Sequence, residues 1–259
     1  MGECDPGSTI STDAPTAAST TCAVVAGCLG ASRVWLVDAG TAAERTAAER
    51  TAAERTAAAL LGSPVRVLDP STLDVADLRA LAREAHGRGA PLVADVTDAG
   101  LGGCEACLLG ADIACCRLDL PAGAADASTV LAFGLSRHAA ASTRLLTSVL
   151  DGLAATCPPS VATLVATAAD LPARLARRRS ASDAAQVVAG YLACHPAVSS
   201  VRYPGLAHDP SHAVATSTLH AGFGPYVSYV RRGADVPVLL DCTDADARAL
   251  IARLETDLA

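Results

Sequence analysis

The chain contains no lysine. All 20 of its basic residues among 259 are arginines, from Arg33 to Arg253. Lysine is ordinarily among the commoner residues in proteins, and a GC-rich genome that favours arginine codons explains its replacement. Whatever the cause, chemistry that requires a lysine side-chain amine is excluded.

Long apolar runs and a secretion signal are also missing. Arg, Asp or Gly interrupts each apolar stretch before it reaches the length of a membrane span, and the first 20 residues lack a basic segment followed by an apolar one. The net charge of -7 and the pI near 5.3 argue against a nucleic-acid partner. We therefore expect a cytoplasmic protein that binds neither nucleic acid nor membrane.

Ten cysteines are present, and four of them lie close together in the sequence. Cys104 and Cys107 form a CxxC pair, followed by Cys115 and Cys116, so a zinc-binding interaction module is one hypothesis. Adjacent residues on a strand point to opposite faces, which places Cys115 and Cys116 badly for one ion. Cysteine also packs readily as a small apolar residue, so we favour a buried role without metal.

The N-terminal part shows three different compositions. Residues 1–20 are rich in Ser, Thr, Pro and Gly, which predicts a disordered tail. The segments VWLV and VRVL (65–68) are β-prone, and between them residues 41–58 repeat the unit TAAER, which predicts a solvated helix. We assign residues 21–150 to a large α/β domain that includes this repeat.

From residue 71 the pattern alternates between helix and strand. Ser71 is a candidate N-cap with Asp74 three residues later, and the apolar positions that follow have helical spacing. PLVADVT and ADIACC then predict buried strands of a parallel sheet. Ligands bind at the carboxyl ends of such strands, where Asp95 and residues 117–120 are expected.

Residues 151–259 predict a smaller α+β domain. SASDAAQVVAGYLACHP has a helical pattern, VSSVRYPG and PYVSYVRR are strand-like, and the chain finishes with an amphipathic helix that carries Leu254 and Leu258 on its apolar side.

Motifs in this region carry a family resemblance. HPAVSSVRYPGLAHDPSH and the later GFGPYVSY resemble the C-terminal domain of the Cys/Met-metabolism pyridoxal-phosphate enzymes, the transsulfuration group of cystathionine synthases and lyases. Upstream, PLVADVTDAG and LLGADIACCRLDLPAG resemble that family's cofactor-binding strands. The resemblance covers about residues 65–255. It implies the aspartate-aminotransferase-like fold of type I, with an incomplete large domain and a truncated small domain.

The resemblance also assigns cofactor contacts. Asp95 matches the aspartate that pairs with the pyridine nitrogen, although a structural role, bonding to loop amides, is an equal alternative. Gly27 and Cys28 match a turn whose amides hold the cofactor phosphate. Ala39 replaces the tyrosine that stacks on the ring.

The family's lysine motif is altered most. Residues 117–120 replace its Ser, Ala, Thr and Lys, so Leu120 occupies the position of the Schiff-base lysine. A carboxylate at Asp119, about 4 Å from a phosphate, costs about 4 kcal/mol at an effective dielectric of 20. Arg117 offsets part of that cost, because guanidinium pairs well with phosphate.

The resemblance therefore implies a degenerate homologue with no catalytic residue and at most weak, non-covalent binding of pyridoxal phosphate. Self-association or association with an intact paralogue is the expected partnership. An active carbon–sulfur lyase or synthase is the alternative from the enzyme class, and the zinc module is the third hypothesis.

Overall fold

The computed structural model describes residues 13–41, 64–119, 128–139 and 141–258. Its helices are, in chain order, α1 (Asp13–Leu29), α2 (Leu78–Gly87), α3 (Arg144–Thr156), α4 (Val161–Cys194), α5 (His212–Thr218) and α6 (Ala247–Leu258), with a 3-10 turn at Ala141–Thr143. Its strands are β1 (Arg33–Thr41), β2 (Val65–Arg66), β3 (Val93–Asp95), β4 (Ile113–Asp119), β5 (Ser128–Leu135), β6 (Val198–Arg202), β7 (Tyr226–Arg231) and β8 (Val238–Asp241).

Five strands form the larger sheet, in the order β1-β5-β4-β3-β2. The strands β2, β3 and β4 are parallel, as predicted, whereas β5 runs antiparallel to both β4 and β1. The α/β fold class is therefore confirmed, with a mixed sheet rather than a wholly parallel one. The smaller sheet is antiparallel, in the order β6-β7-β8.

Three hydrophobic clusters hold these layers together. The faces of the large sheet separate two of them, since adjacent residues of β4 alternate: Cys116 packs with α1 and α2, whereas Cys115 packs towards α3. The third cluster lies between the small sheet, α4 and α6, and it buries Leu254 and Leu258. The opposite orientations expected for Cys115 and Cys116 are confirmed.

Helix α4 belongs to two of these clusters. Leu164 and Leu171 near its start pack with the large sheet, and the stretch from Ala184 to Leu192 packs with the small sheet. Pro172 lies inside this 34-residue helix, close to the change from one cluster to the other. The helix therefore links the large α/β layer to the small α+β layer.

Two predicted boundaries need correction. Helix α2 begins at Leu78, with the Asp77 carboxylate accepting a hydrogen bond from the amide of Ala80, and not at Ser71. Asp69 accepts bonds from the amide and the hydroxyl of Ser71 in a tight turn instead. The predicted disordered tail is wrong over 13–20, where α1 has already begun, and the part before residue 13 lies outside the described residues.

Strand β4 is longer than expected. Arg117 and Asp119, predicted to follow the strand, are part of it, because β5 supplies backbone partners at Leu131 and Thr129. The repeat at 41–58 lies outside the described residues apart from Thr41, so its predicted helix stays a prediction. Helix α3 crosses the predicted domain boundary at residue 150 and packs on the large sheet.

Candidate functional site

The carboxyl ends of β3 and β4 lie side by side, as the parallel pairing requires. The carboxylate of Asp95 accepts a hydrogen bond from the amide of Thr97 at 2.8 Å. The Thr97 hydroxyl oxygen in turn accepts the amide of Arg117 at 3.1 Å. Asp95 therefore has the structural role that was one of its two predicted roles, and its contact with a cofactor stays a prediction.

A cavity of about 330 Å³ opens at these strand ends, and we name it the arginine cleft. Strand β4, the middle of α4 and the small sheet form its walls. The charged and hydroxyl-bearing residues of its lining are Thr97, Asp98, Arg117, Arg174, Arg177, Arg178, Tyr226 and Thr243. The cleft therefore combines four guanidinium groups with one carboxyl group.

The acidic and phenolic groups of the cleft have shifted pKa values. Burial, followed by the nearby carboxylate of Asp95, raises the pKa of Asp98, while the guanidiniums of Arg66 and Arg117 act in the opposite direction. Burial is also the main cause of the raised pKa of Tyr226. The positive charge of the cleft follows from its lining, in which four guanidiniums accompany one carboxyl group.

Arg178 has a structural role at the wall of the cleft. Its Nε donates to the carbonyl of Ala99 at 2.6 Å, and its Nη1 donates to those of His220 and Ala221 at 2.9 and 2.8 Å. Burial lowers its pKa. The loop after β3 and the loop after α5 are thus held together by one guanidinium, and Ala221 adopts a left-handed φ of 53° within the second loop.

Gly27 and Cys28 do not form the predicted phosphate-binding turn. They lie in the last turn of α1, and a second cavity of about 700 Å³, separate from the strand ends, includes them in its lining. A helix C-terminus presents carbonyl oxygens and the negative end of the helix dipole, which repel an anion. Ala31 donates its amide to the carbonyl of Ala26, and Gly30, with a φ of 65°, follows the helix. The assignment of Gly27 and Cys28 to a phosphate-binding turn is wrong, because these residues lie in the last turn of a helix.

The altered lysine motif is described only in part. Arg117 reaches the cleft and Leu118 is buried beneath it, whereas Leu120 lies outside the described residues. The assignment of Leu120 to the lysine position therefore stays a prediction from the sequence. The absence of lysine from the whole chain is independent of that alignment.

The four clustered cysteines are separate buried side chains. Cys104 and Cys107 are buried, and desolvation raises the pKa of each thiol to about 12. Cys115 and Cys116 face opposite sides of the sheet. Among the described residues no group of three or more His, Cys, Asp or Glu side chains is arranged to hold a metal ion, and no helix is long and apolar enough to cross a membrane.

The residues of the motif that carries the resemblance take part in a network of hydrogen bonds within the protein. Tyr203 is fully buried, and its hydroxyl lies within bonding distance of the carbonyls of Ser182 and Gly224, at 3.1 and 3.3 Å. The buried carboxylate of Asp209 accepts bonds from Arg202 Nε at 3.0 Å and from the amide of Tyr203 at 2.9 Å. The YPGLAHDPSH segment thus supports the fold of the small sheet.

The segment that contains this motif also matches a family of known sequences. Residues 160–241 match the sequence model of the Cys/Met metabolism PLP-dependent enzymes. Over these residues the chain is similar to the Cys/Met-metabolism family. The predicted resemblance is confirmed, and with it the association of the family with pyridoxal phosphate. No curated protein sequence is significantly similar to the chain.

Several solved structures are similar to the chain in fold. A methionine gamma lyase from Micromonospora echinospora is 21% identical, with a TM-score of 0.64, over 91% of this chain and 84% of that one. An O-acetylhomoserine sulfhydrylase of Wolinella succinogenes is 18% identical, with a TM-score of 0.61, over 84% and 82%. A cystathionine gamma synthase from Xanthomonas oryzae pv. oryzae is 20% identical, with a TM-score of 0.60, over 84% and 67%. At these identities the similarity establishes the fold.

The residues of this chain do not fit a covalently attached pyridoxal phosphate. The attachment is an imine between the cofactor aldehyde and a lysine amine, and no lysine is present. Asp95 is positioned by its own loop, and the predicted phosphate turn lies at the wrong end of a helix. The cationic groups at the strand ends are the arginines of the cleft.

Sequence reasoning missed most of this cleft. The signal that was available is the ARLARRR run at 173–179, which places four arginines within six residues of α4. Arg174 and Arg177 line the cleft, Arg178 lines both cavities, and Arg179 lines the second cavity.

Proposed function

We propose that this protein is a degenerate member of the Cys/Met-metabolism family, which keeps the fold but has lost lysine-dependent catalysis. The observation that carries the proposal is that all 20 basic residues are arginine. A guanidinium stays protonated in proteins, so it cannot attack an aldehyde or shuttle a proton as an amine does. Apart from the α-amino group, the chain has no primary amine.

Three finer statements belong to the same proposal. Pyridoxal phosphate binds weakly and without a covalent bond, the protein acts in the cytoplasm, and it associates with itself or with an intact paralogue. The basic character of the strand-end cleft supports the first, since its four guanidiniums favour a phosphate.

Borohydride trapping tests the loss of imine chemistry. Purified protein is incubated with pyridoxal phosphate, reduced with borohydride and mapped by peptide mass spectrometry. We expect no adduct on any side chain, and an adduct at the α-amino group counts as background reactivity. A stoichiometric side-chain adduct in wild-type protein would contradict the proposal.

A gain-of-function variant makes the test sharper. Leu120→Lys restores an amine at the predicted lysine position, and we expect a reducible adduct at residue 120. Leu145→Lys is the matched control, because Leu145 is 79% exposed on α3, which packs on the opposite face of the sheet from α1 and α2. Equal labelling of both variants would show that the strand end does not bind the cofactor in preference to an exposed surface position.

An active carbon–sulfur enzyme is the second candidate, and the family match over 160–241 favours it. Cystathionine is incubated with purified protein and pyridoxal phosphate, and release of 2-oxobutyrate or pyruvate is measured. We expect no release above that of pyridoxal phosphate alone. Turnover that increases with protein concentration would support this candidate instead.

A further inference from the structure

The second cavity is distinct from the arginine cleft, with which it shares Leu101 and Arg178. The end of α1, the loop after β3, the middle of α4 and the loop after α5 form its walls. Its volume of about 700 Å³ falls within the usual range for small-molecule pockets. We propose that this cavity binds a linear amino acid whose ammonium and carboxylate groups are separated by several methylenes. Such a site is separate from the one in the proposed function.

The charged groups of this lining balance one another. Glu105 and Asp183 supply two carboxylates, and Arg178 and Arg179 supply two guanidiniums, so the lining is neutral when His220 is unprotonated. A lining of this kind favours neither a simple anion nor a simple cation. It suits a molecule that carries one charge of each sign, because each end of that molecule gains an opposite partner.

Arg179 and Asp183 are the charges available to such a ligand. Within the described ranges, neither side chain forms an ion pair or a hydrogen bond with the other or with a third group. Arg178, by contrast, is bonded to backbone carbonyls. Glu105 and His220 face each other at 3.8 Å, which is beyond hydrogen-bond distance. The unpaired charges of the cavity are therefore one guanidinium and one carboxylate on α4.

The spacing of these two charges sets the length of the ligand. Ala176, Arg179, Ser180 and Asp183 follow one another at helical intervals, so they share one face of α4. Four residues of helix advance about 6 Å along the axis. A chain of about four methylenes holds an ammonium and a carboxylate about 6 Å apart, given C–C bonds of about 1.5 Å. An α-amino acid, in which both groups share a single carbon, is too short to reach both side chains.

The rest of the cavity suits the methylenes between the charges. Leu101 and Leu175 give it an apolar wall. The amide of His220 donates to the carbonyl of Gly103 at 2.8 Å, and Arg178 bonds to the carbonyl of His220, so the loop after α5 is held in place. A wall that is already fixed lowers the entropic cost of ordering the site around a ligand.

Calorimetric titration of the full chain with 5-aminopentanoate tests this site. We expect saturable binding, and glycine, pentylamine and pentanoate should each bind about tenfold more weakly or worse, because each lacks the length or one of the charges. Equal binding of pentylamine or pentanoate would show a preference for one charge, and equal binding of glycine would show no dependence on length. Any of these results, or an absence of saturable binding, overturns the inference.

Substitutions on α4 test which residues hold the ligand. Arg179→Gln and Asp183→Asn should each weaken binding of 5-aminopentanoate about tenfold or more, the loss expected for one hydrogen bond between charged groups. Arg248→Gln and Asp257→Asn are the matched controls, because they make the same changes at exposed positions of α6 outside the lining.

Both positions on α4 are exposed, so we expect folded variants, and either one suffices if circular dichroism shows that the other is poorly folded. Affinities equal to those of the α6 controls would overturn the inference. Borohydride trapping is independent of these titrations, so failure here leaves the proposed function standing.

Discussion

The YPGLAHDPSH segment and the strand ends of the large sheet both resemble the same family, but their aspartates differ in burial and in the number of hydrogen bonds. In the first, the carboxylate of Asp209 is buried and bonded to Arg202, Tyr203 and Ser211. In the second, Asp95 has a bond to one loop amide, that of Thr97. The sequence match to the family covers residues 160–241 and leaves the strand ends outside.

This difference separates the requirements of folding from those of catalysis. Substitution at a buried, multiply bonded side chain destabilises the protein, so such residues keep a family pattern even when the chemistry is lost. A catalytic amine at a strand end contributes to a reaction and little to stability. The sequence match over residues 160–241 is therefore evidence for the fold and not for the reaction.

The largest expected effect is at Arg178, which joins the two regions. Arg178→Met leaves the carbonyls of Ala99, His220 and Ala221 without their donor, and we expect the free energy of unfolding in urea to fall by about 4 kcal/mol. Arg179→Met, its neighbour, should change it by less than about 0.5 kcal/mol. Similar losses for both variants would mean that the guanidinium bonds contribute no specific stability.

Asp209→Ala should follow in size. It removes one buried acceptor from Arg202, Tyr203 and Ser211, and we expect a loss of about 3 kcal/mol in the free energy of unfolding. The same urea titration measures it. A loss of less than 1 kcal/mol would contradict a structural role for this motif.

Asp95→Ala should cost only about 1 kcal/mol, because one bond to the Thr97 amide is lost. Asp95→Asn keeps an acceptor oxygen at this position and should restore most of that stability. A cost for Asp95→Ala as large as that for Asp209→Ala would remove the contrast between the two regions.

The smallest effect is expected at Asp98. Its pKa is raised in the folded protein, so its ionised form is disfavoured at neutral pH and this cost disappears as the pH falls below its unfolded value of about 3.9. Asp98→Asn should therefore stabilise the protein at pH 7 by about 0.5 kcal/mol or less, since solvent screens a half-buried group. Thermal unfolding at pH 7 and pH 3 checks it, and a stabilisation that persists at pH 3 would exclude this cause.

Local patterns predicted the elements whose apolar spacing is regular. The positions Leu78, Ala82 and Ala85 of α2 are buried as their helical spacing indicates, and the segments of β3 and β4 form the expected parallel pair. The antiparallel β5 was missed, although STVLAFGL is a β-prone run. Without that partner, β4 was expected to end before Arg117.

The functional cleft was not predictable in the same way. Its lining joins Thr97, Arg117, Arg177 and Tyr226, which are separated by up to about half of the chain and meet only after the two sheets have packed. Gly27 and Cys28 show the opposite problem, since a short motif was matched without knowing that a helix precedes it. Short-range patterns give elements, and long-range packing decides which side chains share a site.

One consequence of α4 concerns how this protein loses its structure. Because a single 34-residue helix contributes side chains to the hydrophobic clusters of both sheets, neither cluster can come apart without exposing apolar surface of the other. Heating or denaturant should therefore melt both layers in one cooperative step, in which probes of Trp35 in the large layer and of Tyr203 in the small one report the same midpoint.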